Sequence, residues 1–318
     1  MSKRLILVYS SAIVAMVFWS FSFIWYKEVL ILYKPISLVL LRLIISSIFL
    51  FVVTSSIRKL NKLHLKDLKL FLLLAFLEPF VYFMGESYGI SLVPSTVAAV
   101  VISTIPLFSP IGAYYLLKER ISWMNFAGII VSVVGVALVI FHQGFELIDV
   151  NPLGVAFLFV AVASALGYSL VIKKLTDRYN VFSIVTYQNT LGIFFFLPFF
   201  FLFDFKNFIS VVPTWDVVFA LLKLGIFAST VAFILFTFSI KNLGITKANI
   251  FTNAIPVLTA IFAYFILDEA MTAIKIVGIV VVITGLIISQ YRRGLFTGFF
   301  RNGKKAEAEP EFLIHGKF

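Results

Sequence analysis

The chain has 318 residues, 61% of them hydrophobic and only 13% charged, with a formal net charge of +11 and no cysteine. A soluble domain of this size cannot bury so apolar a composition, so the chain reads as an integral membrane protein, without disulfides or thiolate metal sites. The positive charge argues against a nucleic-acid partner, because most of it flanks apolar runs on one side of a membrane.

Ten apolar stretches are long enough to cross a bilayer as helices: 5 to 27, 35 to 57, 68 to 90, 94 to 117, 122 to 142, 153 to 172, 181 to 203, 216 to 239, 245 to 267 and 272 to 291. None alternates as a barrel strand would, and a helix satisfies its own backbone groups in lipid, so the predicted class is an all-α membrane protein. The first span follows Lys3 and Arg4 as a signal peptide would, but it is long and lacks a small-residue cleavage site, and it reads as a retained helix. It carries Trp19, Ser22 and Tyr26, and the second span carries Arg42. In the third, Glu78, Tyr82 and Glu86 are spaced by four and form one helical stripe. Ionisable groups in hydrocarbon are costly and face a cavity or a partner. By depth, Glu86 lies level with Arg42 and Lys223, and Glu78 lies nearer the midplane. Glu86 and Arg42 can therefore form a structural ion pair, or serve substrate or proton binding.

In the fourth span Ala99, Ser103 and Pro106 share a face, as Asn249, Asn253 and Pro256 do in the ninth. Such a face suits a cavity wall, with interhelical hydrogen bonding as the alternative. Tyr168 in the sixth span and Tyr187, Gln188 and Asn189 in the seventh add further aromatic and polar groups. The segment HQGFELIDVNPLG between spans five and six reads as a loop, and residues 292–318 read as a solvated tail.

Residues 95–140 recur as residues 245–290 at a constant offset of 150, with 13 of 46 positions identical. Pro106 and Pro256, Tyr114 and Tyr264, Glu119 and Glu269, Gly128 and Gly278, and Gly135 and Gly285 all fall in register, which marks a duplication. Two copies of five spans (1–142 and 153–291) must lie inverted in the membrane, the architecture of secondary transporters. Twenty of the 26 Lys and Arg flank one side of the predicted spans, which places both termini in the cytoplasm. Ser122 and Thr272 occupy N-cap positions, and Glu119 and Glu269 belong to the turns before them. The glycines at seven-residue spacing allow close helix contact, within the chain or at a dimer face.

No phosphate-binding loop of the GxxxxGK[ST] type occurs, so any driving energy comes from a gradient. His64, His142 and His315 are isolated, every Asp lies near an interface, and LGYSLV around Ser169 lacks the second glycine of a nucleophile elbow. No enzyme, metal site or cofactor is expected.

With these features laid out, the chain resembles the drug/metabolite transporter superfamily, in particular its ten-span EamA-type exporters. The resemblance rests on FWSFSFIWYK ending at Lys27, on Arg42, and on STIPLFSPIGAYYLLKERIS and TNAIPVLTAIFAYFILDEAMT with the glycine pairs that follow. Ser20 stands where that family commonly has glycine. The resemblance implies a central cavity built mainly by the first, third, fourth, sixth, eighth and ninth spans, and export of small metabolites such as amino acids. The expected activity is alternating-access export across a bacterial or archaeal plasma membrane by a monomer or homodimer, with a small-molecule substrate and lipid as its partners. Proton-coupled drug efflux and a non-transporting scaffold are the alternatives. Expected to bind substrate are Trp19, Ser22, Tyr82, Ser103, Tyr168, Asn249 and Asn253; Glu78, Glu86 and Arg42 are expected in coupling or ion pairing.

Overall fold

A computed structural model describes residues 3–105, 107–108, 123–140, 150–243, 248 and 250–290. The described residues are helical, with no strand among them. The helices are α1 (Lys3–Leu30), α2 (Pro35–Ser56), α3 (Leu68–Ala75), α4 (Tyr82–Leu92), α5 (Ser95–Ile102), α6 (Trp123–Ile140) and α7 (Pro152–Thr176). They continue as α8 (Val181–Phe199), α9 (Phe205–Ser210), α10 (Trp215–Lys223), α11 (Ala232–Leu243), α12 (Ile255–Ile266) and α13 (Ala273–Gln290).

Several of these helices join end to end. Six resulting stretches are long and apolar enough to cross a membrane: Leu5–Leu30, Pro35–Ser56, Leu65–Leu92, Pro152–Thr176, Val181–Ser210 and Trp215–Leu243. Phe126–Val139, Ile255–Ile266 and Ala273–Gly285 are shorter apolar helices. The starts follow local chemistry. Pro35 and Pro152 open α2 and α7, where a missing N–H costs nothing, and the side chains of Asn151 and Asn180 accept from Leu153 N and Ser183 N. Large apolar side chains such as Ile13, Val52, Phe194 and Phe265 are exposed on the outer surface, as the lipid-facing side of membrane helices requires.

Three of the long stretches are interrupted by widened turns, at Phe76–Val81, Phe200–Asp204 and Leu224–Val231. The fourth predicted span is likewise not one continuous helix: α5 ends at Ile102 and the chain turns at 103–104. In the ninth, a 3₁₀ turn over Ile250–Ala254 gives way to α12, whose first turn holds Pro256. Proline cannot donate to the preceding turn, and the break sits just before it. Pro106, Tyr114, Glu119 and Ser122 lie outside the described residues.

α1 packs on α11 and α12, α4 and α5 pack on α7, and α2 packs on α8. α6 and α13 run antiparallel at backbone contact. A Cβ on Gly135 would lie 2.6 Å from Val282 N and 2.8 Å from Gly278 O, and one on Gly285 would lie 2.7 Å from Gly128 O. Ser132 Oγ donates to Val282 O at 3.0 Å across the same contact. The glycine stripe therefore serves a contact inside the chain.

Glu269 reaches beyond its own turn. Its carboxylate accepts from Ser95 N at 2.7 Å, Thr96 N at 3.2 Å and Thr96 Oγ1 at 2.8 Å, capping α5. Thr272 caps α13 as expected, accepting from Lys275 N at 3.2 Å. At the opposite end of the bundle, buried Asp67 accepts from Arg178 Nη1 at 2.6 Å and from Tyr179 Oη at 2.9 Å. Burial, with the Asp67 carboxylate beside it, raises the Tyr179 phenol, so Tyr179 remains a donor.

Candidate functional site: a central cavity between the helices

A cavity of about 80 Å³ lies where α1, α4, α5, α7, α11 and α12 converge. Its wall includes Trp19, Ser22 and Phe23 from α1, and Arg42 from α2. The third stretch gives Glu78, Tyr82, Phe83 and Glu86, and Tyr168, Phe233, Phe236, Thr252 and Ile255 complete most of the remainder.

Glu78 owes its position to the next residue. A proline disfavours the α region for the residue before it, and Glu78 has φ −144° and ψ 116° inside an otherwise helical stretch. The carboxylate therefore stands at the break, away from a regular helical stripe. Tyr82 and Glu86 resume α-helical spacing, and Tyr82 Oη donates to Glu86 Oε1 at 3.0 Å.

Arg42 is 2% exposed, so its charge must be compensated where it lies. Glu86 Oε2 is 3.8 Å from Arg42 Nη1, and Tyr26 bridges the two. The Tyr26 hydroxyl accepts from Arg42 Nη1 at 2.5 Å and donates to Glu86 Oε2 at 3.0 Å. Arg42 Nε donates to Ser229 Oγ at 2.7 Å, and the guanidinium stands 4.2 Å from the Phe83 ring centroid. Lys223, at the same predicted depth, pairs instead with Glu28 at 3.8 Å.

The widened turn at Leu224–Val231 exposes backbone carbonyls that side chains then occupy. Trp19 Nε1 donates to Ala228 O at 3.3 Å, and Asn189 Nδ2 donates to Ser229 O at 2.9 Å and to Ser46 Oγ at 2.7 Å. These bonds hold Ser229 against Arg42. Glu78 is different: it is 6% exposed, and no described residue hydrogen-bonds its carboxylate.

Of the residues expected from sequence, Trp19, Ser22, Arg42, Glu78, Tyr82, Glu86 and Tyr168 all line the cavity. Ser103 is fully buried beside α5, its hydroxyl donates to Val100 O at 2.7 Å, and Ile102 and Ile105 line the cavity at that level. Asn249 and the Asn253 side chain lie outside the described residues. Ser20 fits where the resembled family has glycine, because its hydroxyl folds back onto Met16 O at 2.8 Å. Sequence reasoning missed Ser229, Phe83 and the bridging role of Tyr26. Pro79 was the available signal for the break that positions Glu78.

An all-helical protein with several apolar crossings and an aromatic, charge-bearing central cavity belongs to the class of polytopic membrane transporters. The EamA-like transporter family matches residues 6–141 and 152–291, and the chain belongs to that family. It is similar to the uncharacterized transporter YetK of Bacillus subtilis, 28% identical over 261 residues, covering 80% of this chain and 77% of YetK. An uncharacterized transporter of Archaeoglobus fulgidus is 27% identical over 279 residues, covering 87% of this chain and 96% of that one. One solved crystal structure shares the fold with a TM-score of 0.66 at 17% identity, covering 89% of this chain and 97% of the other.

Proposed function

We propose that this transporter is a non-enzymatic exporter of small metabolites such as amino acids, working by alternating access across the plasma membrane with protons as the coupling ion. The observation that carries this reading is Glu78: a cavity carboxylate without a hydrogen-bond partner among the described residues, beside an Arg42–Glu86 pair that is already compensated. Glu78 is free to exchange a proton as the cavity changes access, while Arg42, Tyr26 and Glu86 hold the wall in place. Trp19, Tyr82 and Tyr168 offer ring faces and hydroxyls to a substrate.

Ten spans in two inverted halves, 1–142 and 153–291, are the architecture of this reading. Its support is the symmetry of the contacts. Gly128 opposes Gly285 and Gly135 opposes Gly278, so each glycine meets the duplicate of the other across an antiparallel pair. The α1–α11 contact has its counterpart in α4–α7, and α1–α12 in α5–α7. With both termini cytoplasmic, the Glu269 cap on α5 closes the outer side and the Asp67–Arg178–Tyr179 cluster ties the inner side.

At about 80 Å³ the cavity has room for only a few water molecules, so a substrate enters only as the cavity widens with the change of access. A scaffold has no use for a buried charge network around a cavity. Metabolite profiling of cells with and without the protein, followed by uptake of the enriched compounds into proteoliposomes, tests the reading. Absence of any transported compound would refute it.

A further inference from the structure

Beside the cavity lies a second group of polar side chains that no described residue satisfies with a well-formed hydrogen bond. Gln188 on α8 is fully buried, and among the described residues neither its amide nitrogen nor its amide oxygen has a well-formed hydrogen-bond partner. Thr237 on α11 is 1% exposed, and its hydroxyl is also unpaired. Both stand against the Tyr168 hydroxyl from α7 at the margin of hydrogen-bond reach, close enough to act on it but short of well-formed hydrogen bonds. Nearby, the Asn189 amide nitrogen donates to Ser46 Oγ and Ser229 O, and Ser46 and Thr230 bond each other at 2.6 Å, whereas Ser47 Oγ on α2 is also buried and unpaired. Proteins do not leave such groups dry: buried water bonds to them, typically making about three hydrogen bonds. The three groups are neutral, which suits water rather than an ion.

The depth of this group gives it a direction. Gln188 is seven residues into α8, about 10 Å at 1.5 Å per residue, Thr237 is six residues from the end of α11, and Tyr168 is eight from the end of α7. With the termini cytoplasmic, all three lie on the inner side of Glu78, and Arg42 and Glu86 lie on the outer side. Tyr168 lines the cavity together with Glu78 and also stands beside Gln188 and Thr237, so it lies between the two groups. The titratable and charged groups around Glu78 are Glu86 and Arg42 outward, Tyr82 along its own stretch, and Tyr168 inward.

We infer that Tyr168, Gln188 and Thr237 hold ordered water and form the cytoplasmic branch of a proton path to Glu78. A hydronium in this pocket passes its proton along the ordered water, past the Tyr168 hydroxyl, to the Glu78 carboxylate. Water and an unchanged tyrosine remain, and Glu78 is neutral. Gln188 and Thr237 orient the water and carry no proton themselves. The water site rests on burial and missing partners alone; its use as a path rests on the reading of Glu78 as the coupling group.

Radiolytic hydroxyl-radical footprinting of the full chain in nanodiscs tests the water site, because bound water generates radicals in place. Tyr168 should oxidise several-fold faster than the fully buried Phe71 and Phe196, and Gln188→Leu with Thr237→Val should remove the part of that excess that the ordered water supplies. Thr237→Val alone, nearly isosteric, keeps the test readable if the double variant misfolds, and should lower the excess in part. Tyr168 oxidation no faster than that of the phenylalanines, or unchanged in both variants, overturns the water site. In proteoliposomes the same variants should slow proton-driven uptake several-fold and leave substrate exchange intact; unchanged proton-driven uptake overturns the path. A wild-type protein that ignores pH gradients refutes the coupling reading, and the footprint still decides the water site.

Discussion

Neutralising Glu86 alone should destabilise the protein more than removing its charge together with that of Arg42. Among the described residues, Glu86 is the one carboxylate within ion-pair distance of Arg42, which is 2% exposed. Glu86→Gln keeps the shape and can still accept from Tyr26 and Tyr82, so the variant isolates the loss of charge. Removing one partner of a buried pair costs about 3–5 kcal/mol. Ser229, Tyr26 and the Phe83 ring still support the guanidinium, which places this case at the lower end, about 3 kcal/mol. At about 1.4 kcal/mol per decade, that is on the order of a hundredfold in the folding equilibrium. Arg42→Met combined with Glu86→Gln leaves no unpaired charge and should recover at least half of the loss. Unfolding in mixed detergent and SDS micelles, followed by tryptophan fluorescence, gives the cycle. A Glu86→Gln variant within about 1 kcal/mol of wild type, or a double variant as unstable as the two single losses added, would refute the reasoning.

Gly135→Ala should lower the yield of folded protein by forcing α6 and α13 apart, because its Cβ meets backbone; Gly167→Ala, whose Cβ meets the movable Leu77 side chain, should be tolerated, and fluorescence size-exclusion profiles compare them. Glu269→Ala removes the cap from α5 at a cost of about 1 kcal/mol. It should therefore raise reactivity of a Trp19→Cys reporter toward an impermeant thiol reagent added outside, and an unchanged rate would count against an outer closure. Because the chain has no cysteine, the exposed positions Val212 and Leu65 can carry single cysteines: Val212→Cys should label from outside intact cells and Leu65→Cys only after lysis, and the reverse pattern would overturn the orientation.

Six of the span positions were legible because run length and hydropathy encode them. The predicted 35 to 57 and 153 to 172, for example, correspond to Pro35–Ser56 and Pro152–Thr176. Glycine pairing was legible too, since Gly128, Gly135, Gly278 and Gly285 announce close contact by spacing alone. The widened turns were not, because one extra residue in a turn leaves the apolar run unchanged. That is why Ser229, set against Arg42 by such a turn, escaped notice. Depth along a span narrowed the partner of Glu86 to Arg42 or Lys223. Only the position around each helix decided between them, and it sent Lys223 to Glu28. Glu269 was read within its own turn, whereas its partners Ser95 and Thr96 lie 174 and 173 residues away, a contact that no local pattern encodes.

The most direct test is the response of Glu78→Gln to an imposed pH difference. Proteoliposomes with the membrane potential clamped are loaded with a compound found by metabolite profiling, and a gradient of one pH unit is applied. One proton per substrate then supports up to about tenfold accumulation, since a pH unit is worth about 1.4 kcal/mol. Wild-type protein should accumulate substrate toward that limit. Glu78→Gln should exchange labelled for unlabelled substrate at a comparable rate yet accumulate none against its gradient. Accumulation by Glu78→Gln driven by the pH difference alone would contradict the assignment of Glu78 as the coupling carboxylate.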